Sequence, residues 1–136
     1  MLEQRERVIG VIGGSGLYDI PGLTNTRWQR IQTPFGEPSD ALLFGELAGQ
    51  SIVFLPRHGR GHQIPPSELN YRANIAALKM AGATEVLSVS AVGSLSPDLP
   101  PGSLVVVDQF IDRTVGRARS FFGKGLVAHV SMAQPV

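Results

Sequence analysis

The chain has 136 residues, 43% of them hydrophobic and 17% charged, which is one domain's worth of polypeptide with enough apolar content for a real core. Its net charge of +1 leaves no electrostatic footprint for nucleic acid or an anionic membrane. No stretch nears the ~18 apolar residues that span a bilayer, and the absence of cysteine excludes a disulfide framework and thiolate chemistry.

Residues Met1 to Arg7 are polar and lack the apolar region of a signal peptide, so a soluble cytoplasmic protein is expected. Val8 to Ile12 is a short β-branched run that enters Gly13-Gly14-Ser15-Gly16, the pattern of a buried strand meeting a sharp turn. Trp28 to Gln32 and Ala41 to Leu47 read as weaker strands around Thr33-Pro34-Phe35-Gly36. Ser51 to Leu55 is a further strand, stopped by Pro56 and followed by a polar loop, Arg57 to Pro66.

The spacing predicts a helix over Ser67 to Ala81. Ser67 is its expected N-cap and Gly82 its stop. Leu69, Ala73, Ala76, Ala77 and Met80 would form its apolar face. Val86 to Ala91 and Leu104 to Val107 complete the expected strands. Beyond them, Asp108 to Val136 is irregular, with Arg113, Arg117 and Arg119 near Phe121-Phe122. The order of strand, loop, helix and strand indicates an α/β protein with some parallel pairing.

Three stretches carry the chemistry. Gly13-Gly14-Ser15-Gly16 could let backbone N–H groups approach an anion, with Ser15 adding a hydroxyl; the alternative is an ordinary turn. It is neither a dinucleotide fingerprint, since Asp19 stands at the third glycine position, nor a P-loop. Arg57 supplies a forked donor matched to phosphate oxygens, and His58 could donate to the same anion or move a proton; the alternative is a solvated basic turn. Ser90, after an apolar strand, would add a hydroxyl together with the next N–H, that of Ala91, unless Ser88 and Ser90 simply alternate out of the core.

Other residues are less pointed. His58 and His62 lack a carboxylate companion and form a weak case for a metal. Asn70 to Asn74 would face a ligand or a neighbour, or else make a capping turn with a solvated face. Asp108, Asp112 and Arg113 suit a buried ion pair better than catalysis. Taken together, three strand ends offer backbone N–H groups, hydroxyls and a guanidinium to one tetrahedral dianion, without metal ligands.

Val11 to Leu17, Thr33 to Asp40, Arg57-His58-Gly59-Arg60-Gly61-His62, Asn70 to Asn74 and Asp108 to Thr114 together resemble the methylthioadenosine phosphorylases of the purine nucleoside phosphorylase family, in order and spacing. The resemblance runs from about Val8 to Val136 and implies the N-terminal half of a single domain, with a mixed central sheet flanked by helices. The purine-recognising acidic residue and the helix over the methylthio group belong to the family's other half.

By this resemblance, Ser15, Arg57, His58, Ser90 and the Ala91 N–H hold phosphate. His129 reaches a neighbouring subunit's site near the 5′ group of a homotrimer. Val92 replaces a frequent Cys. The implied reaction is phosphorolysis of S-methyl-5′-thioadenosine to adenine and 5-methylthioribose 1-phosphate, with orthophosphate as co-substrate and no metal or cofactor. A different purine nucleoside specificity, such as methylthioinosine, a non-catalytic fragment, and a dinucleotide-binding module are the rivals.

Overall fold

The computed structural model describes residues 6–118 and 120–136. Met1 to Arg5 and Arg119, which entered the readings of the N-terminus and of the arginine group, lie outside the described residues. The chain divides into two compact units, Met1–Ser90 and Ala91–Val136.

The first unit is built on a mixed five-stranded sheet. Its strands are β1 (Val8–Gly13), β2 (Thr24–Gln29), β3 (Leu42–Leu47), β4 (Gln50–Pro56) and β5 (Glu85–Ser88), in the spatial order β2-β3-β4-β1-β5. β1 lies parallel to both β4 and β5, and β2, β3 and β4 follow one another antiparallel. A two-residue turn joins β3 to β4, with Ala48 and Gly49 both at positive φ (50° and 78°). Two positive φ values suit the twist of paired strands, and they set Leu47 opposite Gln50.

One helix, α1 (Tyr71–Met80), lies between β4 and β5 in the chain. Its face packs on the sheet through Ala77 and Leu78, which join Ile12, Leu42, Val53, Leu55 and Ala83 in one core cluster. Phe54 alternates to the opposite face, where it is fully buried and meets Tyr18 edge-on at 6.1 Å between ring centroids.

Several boundaries differ from the sequence reading. The helix starts at Tyr71, not Ser67: Pro66–Glu68 forms a separate 3-10 turn, and the side chain of Asn70 accepts the Ala73 N–H. Asn70 is therefore the N-cap. The stop at Gly82 is as expected, with Gly82 N–H on the Lys79 carbonyl and Ala83 N–H on the Leu78 carbonyl. The buried face is Ala73, Asn74, Ala77 and Leu78, while Met80 is exposed.

β2 begins at Thr24 rather than Trp28, and all its residues are exposed. β5 ends at Ser88, and its Val86 and Leu87 are half-exposed because it is an edge strand paired with β1 alone.

The second unit has no helix or strand among its described residues. Leu104 to Val107 is not the expected strand. Strand preference is realised by cross-strand pairing, and among the described residues no partner strand pairs with this run, which is exposed. Asp108, Asp112 and Arg113 are exposed rather than buried, and Asp112 Oδ1 accepts from the backbone N–H and hydroxyl of Thr114 at 2.9 and 2.6 Å.

No helix among the described residues is long and apolar enough to cross a membrane.

Candidate functional site

The parallel trio β4-β1-β5 sends three carboxyl ends to one edge of the sheet, where open α/β sheets place their ligands. Gly13 closes β1, Pro56 closes β4 just before Arg57, and Ser88 closes β5 two residues before Ser90. Backbone bonds draw these ends together: Arg57 N–H donates to the Gly13 carbonyl and Val89 N–H to the Ile12 carbonyl, both at 2.9 Å.

The glycine turn works by space rather than by unusual dihedrals. Gly14 is extended (φ −83°, ψ −172°), and Gly13, Gly14 and Gly16 all lack positive φ. A Cβ on Gly13 would sit 2.7 Å from Leu17 Cδ1 and 3.0 Å from Phe54 Cε2. A bare backbone is therefore what lets the chain turn over the sheet. The following 3-10 turn, Ser15–Leu17, leaves Ser15 and Gly16 exposed.

Arg57 is the hub. Its Nη1 donates to Ser90 Oγ at 2.6 Å, and its Nη2 lies 3.6 Å from where a Cβ on Gly14 would stand. One guanidinium thus spans the ends of β1 and β5. Its Nε donates to His58 Nε2 at 3.3 Å. His58 is buried, and its Nδ1 lies 2.9 Å from the Ile64 carbonyl. A carbonyl only accepts, so Nδ1 carries the proton and Nε2 is the acceptor for Arg57. His58 in this state orients Arg57, and both of its nitrogens are engaged within the protein. The His62 ring stacks on it at 4.5 Å between centroids. No group of three or more His, Cys, Asp or Glu side chains among the described residues could hold a metal.

The turn that carries Arg57 is held from outside the strand ends. Gly59 has φ +71°, and a Cβ there would lie 3.1 Å from the Ser39 carbonyl oxygen. Both the left-handed backbone and the close approach of the 39–40 segment require glycine. Tyr18 donates its hydroxyl to the Gly59 carbonyl at 2.9 Å. Burial pushes the Tyr18 phenol above its ordinary value, Asp40 adds to the rise, and Arg57 opposes it.

Asp40 accepts from Arg60 N–H at 2.8 Å, Nε at 2.9 Å and Nη2 at 3.1 Å. Burial works to raise its carboxyl, but the hydrogen bonds from Arg60 and Ala41, with the Arg60 charge, hold it below the ordinary value. The Arg60 guanidinium also lies 4.2 Å over the Trp28 ring.

These last contacts were not foreseen from sequence. Of the two readings of Asn70 to Asn74, the capping turn is seen at Asn70, whose Nδ2 also donates to the Phe35 carbonyl at 2.7 Å, while Asn74 is buried and exchanges two bonds with Ser39 at 2.8 and 2.9 Å. Asn74 is 2% exposed, so its amide is spent on fixing the segment before Asp40.

Arg57 and His58 also line a groove of about 460 Å³, whose wall includes Ile12, Tyr71, Asn74 and Ser88. Ser15 and Ser90 are not part of that wall. Ala91 and His129 belong to the second unit, where both are exposed.

A guanidinium, a hydroxyl and a glycine turn thus stand together beyond parallel strand ends of an α/β sheet. The family model described as Phosphorylase superfamily matches residues 8–136, and the chain belongs to this family.

Among its relatives, the S-methyl-5′-thioadenosine phosphorylase of Rhodospirillum rubrum is 67% identical over 132 residues, which are 97% of this chain and 45% of the relative. That of Hyperthermus butylicus is 61% identical over 127 residues, 93% and 46% of the two chains. A crystal structure of a methylthioadenosine phosphorylase from an antarctic soil metagenomic library superposes with a TM-score of 0.89 at 54% identity, covering 98% of this chain and 46% of that one. The Schistosoma mansoni methylthioadenosine phosphorylase in complex with adenine gives 0.87 at 47% identity, covering 96% and 49%. The chain thus spans about half the length of the relatives it matches.

Proposed function

We propose that the chain is the phosphate-holding portion of a purine nucleoside phosphorylase that acts on S-methyl-5′-thioadenosine. The observation that carries this reading is Arg57, whose guanidinium bonds Ser90 beyond β5 and faces Gly14 beyond β1. An anion seated there would meet Arg57 and the Ser15 and Ser90 hydroxyls. His58 belongs to the same phosphate-holding set by backing Arg57, its Nε2 accepting from the Arg57 Nε. The choice of methylthioadenosine over methylthioinosine or another purine nucleoside rests on the names and identities of the relatives.

In the reaction, a phosphate oxygen forms a bond to C1′ of the ribose as the bond from C1′ to the purine nitrogen breaks. The electron pair and a proton go to the purine, which leaves as adenine, and 5-methylthioribose 1-phosphate remains. The protein's part at this end is to hold the dianion under the sugar in near-attack geometry, where its charge stabilises the oxocarbenium-like transition state. Orthophosphate is the co-substrate, and the reading includes no metal or cofactor. It includes His129 as a residue lent to a neighbour's site in a cytoplasmic homotrimer.

The test is a chimera in which this chain replaces the matching 132 residues of the R. rubrum relative. Adenine release from methylthioadenosine that requires phosphate is the expected result. A folded chimera that releases no adenine, or releases it equally without phosphate, contradicts the reading. The 136-residue chain assayed alone separates turnover from binding without turnover.

A further inference from the structure

We propose that Asp40 is a positioning residue for the phosphate site, acting through Arg60 on the turn that carries Arg57 and His58. The inference rests on the phosphate reading above and names a residue that does not itself face the anion.

Four observations converge on it. Asp40 takes three hydrogen bonds from one residue of the turn, including the Arg60 backbone N–H, so it fixes backbone as well as side chain. Its own side chain is only 16% exposed, which keeps water from competing for those oxygens. The residue before it is anchored to α1 by the reciprocal Ser39–Asn74 pair, and the Ser39 carbonyl sits against Gly59. Arg60 is stacked on Trp28 of β2, which narrows its freedom to turn away from the carboxylate.

The tie therefore runs from the buried face of α1 through Asn74, Ser39 and Asp40 to Arg60, three residues past Arg57. A second consequence is electrostatic. Asp40 pairs with Arg60, which weakens the pull of that neighbouring arginine on an anion relative to that of Arg57. A guanidinium contributes its full effect only when held in place, and a shift of about 1 Å in a positioning group can cost up to 10²-fold.

The experiment titrates inorganic phosphate into the wild-type chain and into Asp40→Ala, Asp40→Asn and Arg60→Gln, following backbone amide and His58 ring ¹⁵N resonances. Asp40→Ala is expected to raise the phosphate Kd on the order of tenfold and to move the His58 Nε2 resonance, as the Arg57 contact loosens. Asp40→Asn, which keeps an acceptor oxygen, is expected to fall between it and the wild type.

A merely stabilising Asp40 would lower the Tm and leave both the Kd and the His58 resonance in place, and that result overturns the proposal. Should Asp40→Ala not fold, Arg60→Gln removes the two side-chain bonds of the same tie from an exposed position and is judged by the same two readouts. A wild-type chain that binds no phosphate overturns the phosphate reading, and this inference with it. Wild-type binding with unchanged variants overturns this inference alone.

Discussion

Arg57→Ala is expected to leave the sheet folded and to weaken phosphate binding by roughly tenfold to a hundredfold, the equivalent of about 1.5–3 kcal/mol for a lost charge-assisted hydrogen bond. The reason is its place as the hub. Without it, Ser90 Oγ loses its donor and His58 Nε2 loses the group it orients. Gly14 and Ser15 then face an end of the sheet that has lost the Arg57 cation. Arg57→Lys keeps the charge but not the fork, and one ammonium cannot donate to the Ser90 side and to His58 in the same geometry. It should fall between the two. Isothermal titration with phosphate, alongside circular dichroism to confirm folding, checks the order wild type, Lys, Ala.

Phe54→Ala carries the largest stability effect, a loss of about 3–5 kcal/mol. Phe54 is fully buried in β4, between β1 and β3, opposite Val11 on one side and Leu43 on the other. Its ring edge approaches the space over Gly13, and Tyr18 meets it edge-on. Truncation opens a cavity beneath both the glycine turn and the tyrosine that reaches Gly59. Domain stability is commonly about 5–15 kcal/mol, so the loss is a large share of the total. Chemical denaturation should show the fall directly. Phosphate affinity of the fraction that remains folded should drop as well, because Tyr18 loses the wall that holds it.

Much of the fold could be read from the chain. The apolar runs of β1 and β4 declared themselves because β4 is buried on both faces and β1 is buried on one and half-buried on the other, and such strands are nearly continuous apolar segments. The end of α1 was legible because a glycine stop is a local signal. Its start was not. Ser67 and Asn70 are both competent caps, the paired prolines favour the earlier one, and only the bond to Ala73 N–H decides between them. The helix face was misjudged at Met80 because alanines pattern weakly, and the bulky buried residue is Leu78. Leu104 to Val107 shows the limit of propensity: an apolar β-branched run becomes a strand only beside a partner.

The candidate site divides in the same way. Ser15, Arg57 and Ser90 were visible because each follows a strand end, and strand ends on a parallel sheet converge. Asp40 and Tyr18 were invisible because their contacts bridge 20 and 41 positions in the chain and need the third dimension to be seen. His58 was read as a donor to the anion; the tautomer that faces Arg57 is set by Ile64, a carbonyl that no motif announces.

The proposed arrangement is one phosphate site formed by three strand ends. It is tested most directly by titrating inorganic phosphate into the isotopically labelled chain and following every backbone amide. Ser15, Gly16, Arg57, His58 and Ser90 are expected to shift together along curves that share a single Kd, and Arg57→Ala to weaken all of them at once. Shifts confined to one strand end, separate dissociation constants at the three ends, or no shifts at all would contradict it.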